Sequence, residues 1–338
     1  MNRYYLGIDT SNYKTSIAAV DDNGDIIVNL SEYLEVALGD KGLRQSDAFF
    51  KHSARLPSML KTVLEIVPAS DIAAVGVSDK PRRVEGSYMP CFMAGVNFAK
   101  TLTAVLGVDL HTFSHQEGHA AAVIEACAHA EDDDKAILMH LSGGTTEFLK
   151  CQRDDEGYET EIVGGTLDIS IGQLLDRFGV ALGFPFPSGR YIDDLAASYK
   201  GELNKPEKIL SRITVNDGYF NLSGQEKRLM DFAELYTQKH GKIDFNYDLR
   251  LNDEELGAAA YEVFDAISEL LAKSASYLAE SEQLSKVYMA GGVASSANIR
   301  KMIKDKLKDG KPEIIFGEPL LSSDNAVGTA FLCKRIAE

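Results

Sequence analysis

The chain has 338 residues, of which 45% are hydrophobic and 25% charged. This balance predicts a folded protein with more than one compact lobe and excludes wholesale disorder. The formal net charge is -16, which opposes binding to a nucleic-acid backbone by this chain alone, because such binding needs clustered Lys and Arg. An RNA substrate presented by a basic partner protein is compatible with this charge.

The cysteines and the hydropathy of the chain indicate its compartment. The four cysteines are scattered, with no CxxC pair, which argues against zinc-knuckle and thioredoxin-type sites and is typical of a reducing compartment. Residues 1–12 lack the apolar region of a signal peptide, and no run approaches the ~20 apolar residues that a membrane span needs. We therefore expect a cytoplasmic protein without a membrane segment.

The first part of the chain has the pattern of an α/β lobe. Apolar runs at residues 4–8, 16–20 and 26–30 are separated by polar turns and predict an antiparallel meander. The spacing of apolar residues then predicts a helix over 46–66, a strand over 72–77, a helix over 93–106, a strand over 108–113 and a helix over 117–130.

An acidic stretch at residues 131–134 is expected to be a solvated loop that divides the chain. The same order recurs beyond it, with predicted strands at 136–141 and 147–150, a hairpin turn at 154–157, a helix over 256–284, strands at 287–290 and 313–316 and a helix over 325–337. We therefore expect an α/β fold of two similar lobes with a central cleft. The lobes span 1–131 and 135–321, and residues 322–338 are expected to pack back on the first lobe.

The pentapeptide His115 to His119 carries the strongest chemical signal in the sequence. It follows a predicted strand and opens a predicted helix, so its two histidines at positions i and i+4 share one helical face and suit a metal ion. His140, at the end of a strand, and Asp324, at a helix start, would add donors for iron or zinc. The alternatives are two surface histidines that have this spacing by chance and a helix N-cap at Asp324.

Two glycine turns follow predicted strands, at Ser142-Gly143-Gly144 and at Gly291-Gly292. Paired glycines allow backbone N–H groups to approach a phosphate closely, which favours a nucleotide site. The polar turn from Asp9 to Asn12 is of a similar kind. The alternative is that these are tight turns without a ligand.

Acidic side chains around a third segment suit a ribose. Asp176 falls on a predicted helix, Gly189 allows close backbone approach, and Asp193 lies one turn later. Their carboxylates would accept hydrogen bonds from ribose hydroxyls. The alternative is a solvated helix with ordinary acidic residues.

The order of these motifs resembles the Kae/TsaD family, also known as the glycoprotease family. The matching segments run through the whole chain and include LGIDTSNYKTSIA, HQEGHAA, LSGGTTEF, GQLLDRFGVALGFPFPSG, FNLSGQEK, AGGVASSANIR and SSDNAVGTA. The resemblance implies the ASKHA fold that is shared with actin, sugar kinases and heat-shock chaperones. It also implies an acyltransferase that works with small partner proteins and moves a threonylcarbamoyl group from threonylcarbamoyl-adenylate to the adenosine beside the anticodon of tRNA. We further expect the chain to form a homodimer or a heterodimer.

The resemblance assigns roles to individual residues. The metal ligands are His115, His119 and Asp324, with His140 as a further candidate where some members have tyrosine. An ATP/AMP-type nucleotide or acyl-adenylate is assigned to Ser142, Gly143, Gly144, Asp176, Gly189, Asp193, Gly291, Gly292 and Ser296. Asp9 and Ser11 are the candidates for a catalytic contribution. The metal is expected to act as a Lewis acid on the carbamoyl group.

The chain departs from the family pattern at four places. Asn12-Tyr13-Lys14 replaces Cys-Asp-Glu, and Asp168 to Gln173 replaces Asp-Asp-Ala-Ala-Gly-Glu. Residues 79–83 lack the family's Gly-Pro-Gly segment, and Ser296 stands for an asparagine. These departures favour, as an alternative, a paralogous carbamoyl or acyl transferase with another acceptor.

Two further alternatives belong to other functional classes. A non-catalytic nucleotide-binding subunit of a complex would not need the metal residues that this chain keeps. A metallopeptidase is disfavoured because HQEGH is not HExxH, so its glutamate stands at the wrong position.

Overall fold

The computed structural model describes residues 3–11, 14–35, 43–126, 134–201, 208–244, 249–251, 253–322 and 324–338. Asn12, Tyr13, the end of the helix predicted over 117–130 and most of the acidic stretch 131–134 lie outside the described residues. Two compact units form, one from Met1–Lys135, Cys151–Thr160 and Leu320–Glu338, the other from Ala136–Lys150 and Glu161–Pro319. The hairpin tip 151–160 thus groups with the first unit, whereas the sequence-based division assigned it to the second lobe.

The first unit is built on a five-stranded sheet. Its strands are β1 Tyr4–Asp9, β2 Lys14–Asp21, β3 Ile26–Tyr33, β4 Ile72–Lys80 and β5 Asp109–Ser114, and they lie in the order β3-β2-β1-β4-β5. β1 pairs antiparallel with β2, and β2 pairs antiparallel with β3, whereas β4 pairs in parallel with both β1 and β5. The helices are α1 Gln45–Leu64, α2 Phe92–Leu106, α3 His115–Ile124 and α9 Val327–Ala337.

Two glycines in this sheet allow the last helix to lie against it. A Cβ at Gly7 would be 2.2 Å from the carbonyl oxygen of Ala326, and one at Gly76 would be 2.8 Å from that of Thr329. Since real Cβ atoms do not approach so closely, only glycine permits α9 to pack here. The opposite face of the sheet forms an apolar core with residues of α1 and α2, such as Leu56 and Val96.

The second unit repeats this plan. Its strands are β6 Lys135–Leu141, β7 Thr146–Arg153, β8 Tyr158–Thr166, β9 Tyr219–Phe220, β10 Lys286–Ala290 and β11 Glu313–Phe316. They lie in the order β11-β10-β6-β7-β8-β9, so β8-β7-β6-β10-β11 matches β3-β2-β1-β4-β5, with β9 added at the edge. The helices are α4 Ile171–Leu182, α5 Gly189–Ser198, α6 Ser223–His240, α7 Glu254–Ser281 and α8 Ala297–Lys306.

The long helix α7 supplies much of the core of the second unit, because apolar residues recur along one side of it, among them Leu256, Val263, Ile267 and Leu271.

Among the described residues, none of the helices combines the length and the apolar character that a membrane span requires.

Candidate metal centre and nucleotide-binding turns

The helix that carries both histidines begins directly where β5 ends. Ser114 is its N-cap: the backbone N–H of Glu117 donates to Ser114 Oγ at 3.2 Å, and the N–H of Ser114 donates to Glu117 Oε2 at 2.8 Å. This capping box sets the first turn of α3. His115 and His119 therefore lie one turn apart on the same face, with their Nε2 atoms 3.0 Å apart.

Asp324, just before α9, completes a three-residue cluster. Its Oδ1 lies 3.2 Å from His119 Nε2 and 3.8 Å from His115 Nε2, and the three ligand atoms lie within 4.8 Å of one another. Metal–ligand bonds near 2.1 Å place neighbouring ligand atoms roughly 3.0–3.4 Å apart. The cluster therefore fits one metal ion with small adjustments, and its donors suit zinc or iron.

A close crossing of two helices brings these ligands together. A Cβ at Gly328 on α9 would be 1.8 Å from the carbonyl oxygen of Gly118 on α3, and one at Gly118 would be 3.1 Å from Thr329 Oγ1. Gly118 lies next to His119, and Gly328 lies four residues after Asp324. The two glycines therefore set the distance between the elements that carry the ligands.

Asp9 lies behind His115. The Oδ2 of Asp9 is 2.8 Å from His115 Nδ1, while its Oδ1 accepts the backbone N–H of Ser11 at 2.9 Å and the Ser11 hydroxyl at 2.5 Å. Burial disfavours the charged forms of both side chains, but their pairing outweighs it, raising the pKa of His115 and lowering that of Asp9. Asp9 thereby orients the imidazole so that Nε2 faces the other two ligands, as carboxylates behind metal-bound histidines do.

Glu117, between the two histidines, is only 2% exposed, and both of its carboxylate oxygens contact other protein groups. Its Oε2 serves the capping box, and its Oε1 accepts the N–H of Tyr158 at 3.4 Å and lies 3.5 Å from an Arg83 guanidinium nitrogen. A metallopeptidase needs a glutamate that activates water at the metal. These contacts of Glu117 argue against that role.

His140 lies in the second unit on β6, in register with Ala290 of β10. It is not one of the three clustered ligands, and its role as a further ligand stays a prediction.

The first glycine turn joins β6 to β7. The Ser142 and Thr145 backbones bond across it at 2.8 Å, and Ser142 Oγ accepts the N–H of Thr145 at 3.0 Å. Gly143 and Gly144 are exposed, and no described atom lies within 4 Å of the position that a Cβ would occupy on either. The space beside these two glycines is therefore open to a ligand.

The N-terminus of α4 adjoins this turn. A Cβ at Gly172 would lie 2.4 Å from the Cα of Gly143, and the N-cap residue Ser170 donates from Oγ to the Gly143 carbonyl at 2.7 Å. Ser170 also accepts the N–H of Gln173 at 3.0 Å in a second capping box. A helix N-terminus beside an open glycine turn favours an anionic group.

The second glycine turn follows β10, which pairs in parallel with β6. The carboxyl ends of parallel neighbours meet at one edge of a sheet, so both turns lie at that edge. Gly291 has φ +101°, and a Cβ there would be 2.2 Å from the Leu141 carbonyl oxygen, whereas Gly292 is exposed with open space beside it. Gly291 thus serves the fold, and Gly292 is open to a ligand.

The acidic residues assigned to a ribose already have protein partners. Asp176 Oδ1 accepts the N–H groups of Ser188 at 2.7 Å and Gly189 at 3.0 Å, at the start of α5. Asp193 Oδ1 accepts the Ser296 hydroxyl and the Asn298 side-chain amide, both at 2.7 Å. The assignment to a ribose stays a prediction.

Asn298 also belongs to this cluster, although no sequence motif assigned it a role there. Its amide also donates to the Asp193 carbonyl at 2.9 Å. The only signal in the sequence was an asparagine near the start of a helix, and such residues are common there without any ligand.

A family model described as TsaD, tRNA N6-adenosine threonylcarbamoyltransferase, matches residues 40–331. The chain belongs to the TsaD family. Two relatives named tRNA N6-adenosine threonylcarbamoyltransferase agree with this. The one from Thermotoga neapolitana is 29% identical over 96% of this chain and 91% of its own length, and the one from Bacillus licheniformis is 30% identical over 96% and 89%. The TsaD family named by these matches is one of acyltransferases, as the motifs predicted.

Solved structures support the fold. HypF from T. kodakarensis aligns with 97% of this chain and 47% of its own length at a TM-score of 0.55 and 14% identity. HypF in a phosphate- and nucleotide-bound form aligns with 99% of this chain and 55% of its own at a TM-score of 0.53 and 12% identity. Together with the repeated strand order, these matches confirm the predicted α/β ASKHA fold.

Proposed function

We propose that this TsaD-family chain transfers a threonylcarbamoyl group from threonylcarbamoyl-adenylate to the N6 amine of the adenosine beside the tRNA anticodon, and that the transfer depends on a metal ion. The observation that carries the metal dependence is the convergence of His115, His119 and Asp324 with Asp9 behind one imidazole. Family membership supports the acyl group and the tRNA acceptor.

His115, His119 and Asp324 would hold the ion, zinc or iron by donor type. A bound ion supplies Lewis acidity that polarises the carbamoyl carbonyl. Asp9 accepts the Nδ1 proton of His115 and so leaves the Nε2 lone pair of that imidazole directed at the ion. The short Ser11–Asp9 hydrogen bonds hold this carboxylate in place. Asp9 and Ser11 thus act by positioning a ligand.

In the second unit, the backbone N–H groups of the exposed turns at Gly143-Gly144 and Gly292 would bind the phosphate of the adenylate, with the α4 N-terminus adding a favourable dipole. In the reaction, the N6 nitrogen bonds to the carbamoyl carbon, the bond from that carbon to the phosphate oxygen breaks, AMP leaves with the electron pair, and N6 loses a proton. A well-bound phosphate makes AMP the better leaving group.

The tRNA is proposed to arrive with small partner proteins. The net charge of -16 disfavours unaided binding of a polyanion. A basic partner would supply the missing phosphate contacts.

A transfer assay tests the proposal. The zinc- or iron-loaded protein, with the partner proteins of its host, is mixed with threonylcarbamoyl-adenylate and unmodified tRNA, and the digested nucleosides are read by mass. We expect threonylcarbamoyladenosine from the unaltered protein and from a control with His240→Ala, since His240 lies at the end of α6 outside the cluster. His119→Ala should abolish the product. Absence of product where the Bacillus licheniformis relative succeeds would reject tRNA as the acceptor.

A second candidate keeps the same donor chemistry but uses another acceptor. It is favoured by Lys14, the residue of the divergent segment 12–14 that begins β2 and donates to the Asp324 carbonyl. In the same assay it predicts release of AMP in the presence of the true acceptor, with no modified tRNA nucleoside.

A further inference from the structure

Lys14 places a positive charge beside the metal cluster. It is the first residue of β2 and only 7% exposed. Its Nζ donates to the backbone carbonyl of Asp324 at 3.2 Å, and the carboxylate of the same aspartate lies 3.2 Å from His119 Nε2. Asp324 therefore contacts the Lys14 ammonium group through its backbone and His119 through its side chain.

The fold fixes this lysine in place. The backbone N–H of Lys14 donates to the carbonyl of Ser11, two residues after Asp9, at 3.2 Å. In the sheet Lys14 pairs with Tyr33, and its Nζ lies 4.6 Å from the centre of that ring, a cation–π contact. Lysines are seldom buried in proteins unless they have partners. The contacts of Lys14 hold its charge beside the metal cluster.

The charges around the loaded site give the direction in which Lys14 acts. Asp9 and Asp324 contribute two negative charges, which a divalent ion cancels, and the two imidazoles bind metal in their neutral form. Glu117 on the same helix lies 3.5 Å from Arg83, which also pairs with Asp154 and Glu156. Lys14 then adds one positive charge beside the loaded ligand cluster. Its Nζ lies 3.2 Å from the Asp324 carbonyl oxygen, and charges act over ~8–10 Å in physiological salt.

We propose that Lys14 is a specificity-determining residue that selects an anionic oxygen group, carboxylate or phosphoryl, on the ligand bound at the metal centre. This inference rests on the metal centre of the proposed function and names the class of group that the centre accepts. The Asp324 side chain is 34% exposed, so the centre is accessible to such a group. A lysine ammonium binds anions as a compact point charge with several donors.

Cobalt(II)-loaded protein provides a test that does not depend on activity. The visible spectrum of bound cobalt reports a change at the metal, and it is followed during titration with inorganic phosphate and, separately, with acetate. Lys14→Met removes the charge and keeps the apolar stem, and Lys14→Arg keeps the charge. Lys51→Met is the matched control, because Lys51 on α1 also donates to a backbone carbonyl, that of Glu35, away from the cluster.

We expect Lys14→Met to bind cobalt as tightly as the unaltered protein, since loss of a positive charge does not weaken cation binding. Its anion dissociation constant should rise by roughly ten- to a hundredfold, the effect of losing one hydrogen bond to a charged group. Lys14→Arg should stay within about threefold of the unaltered protein because its charge is kept, and Lys51→Met should not differ from it.

An unchanged anion titration in Lys14→Met would overturn the inference. Loss of cobalt binding in that variant would also overturn it, because Lys14 would then only hold Asp324 in position. A response to acetate alone assigns a carboxylate, and a response to phosphate alone assigns a phosphoryl group. The tRNA assay can fail while the cobalt response persists, so the failure of the proposed function is distinguishable from the failure of this inference.

Discussion

Asp9 Oδ2 lies 2.8 Å from Nδ1 of His115, and this contact joins the end of β1 to the start of α3. It uses the imidazole nitrogen that faces away from His119 and Asp324. The metal-facing geometry of His115 therefore depends on a carboxylate that is not itself in the ligand cluster.

Asp9→Asn should lower the affinity for zinc by roughly 10- to 100-fold, as is usual when a carboxylate behind a histidine ligand is altered. The amide keeps the shape of the side chain but loses the charge that orients the ring. Competition with a chromophoric chelator measures this affinity. Asp25→Asn, on the exposed turn between β2 and β3, is the control, and equal affinities for the two variants would contradict the role of Asp9.

Removal of the metal should destabilise the protein only when the cluster is intact. Because an ion that binds the folded state stabilises it by mass action, a strong chelator should lower the melting temperature of the unaltered zinc-loaded protein. His119→Ala removes the ligand nearest to Asp324 and should melt at the same temperature with or without chelator. A chelator effect of equal size in His119→Ala would place the stabilising ion elsewhere.

Gly328→Ala should separate α9 from α3, because its Cβ would meet the Gly118 carbonyl at 1.8 Å. We expect a loss of about 1–3 kcal/mol in the free energy of unfolding, together with weaker zinc binding, since the crossing sets the distance from His119 to Asp324. Urea unfolding and chelator competition measure the two effects.

Gly224→Ala is the matched control for that substitution. Gly224 is exposed on α6, with open space at its Cβ position among the described residues, and the change should stabilise the protein by about 0.5–1 kcal/mol. If Gly328→Ala behaved in the same way, the close crossing of the two helices would be refuted.

Asp168 should contribute to the acid sensitivity of the second unit. Partial burial would raise its pKa, but bonds from the backbone N–H groups of Leu222, Ser223 and Ile169 outweigh this and lower it to about 2. The unfolded value is about 3.9. The stabilisation is therefore present above about pH 4 and is lost as the pH falls towards 2.

Asp168→Asn should remove part of the decline in melting temperature between about pH 4 and 2.5, at the cost of lower stability near neutral pH. Melting curves across this range measure the effect. Asp194→Asn, on the exposed side of α5, should keep the decline of the unaltered protein. If Asp168→Asn left the decline in melting temperature with falling pH unaltered, the hydrogen bonds from Leu222, Ser223 and Ile169 to Asp168 would not persist in solution.

Much of the fold was predictable because the signals are local. Apolar runs of strand length and turn residues predicted the meander of β1 to β3 and its repeat at β6 to β8. The helix α6 was missed because it lies in a polar stretch, where Leu229, Ala233 and Tyr236 are among its few buried residues. A pattern that weak does not stand out without the core that it packs against.

The sequence by itself determined the i, i+4 pair of His115 and His119, because helical spacing places both on one face whatever surrounds them. It also determined that Gly143 and Gly291 stand in turns after strands. Only the tertiary structure decided that Asp324 and Lys14 meet at these histidines, that Asp9 backs His115, and that Asn298 joins Asp193. Those contacts depend on the return of α9 to the first sheet and on the packing of α5 near α8, and no local spacing encodes which distant segments come together.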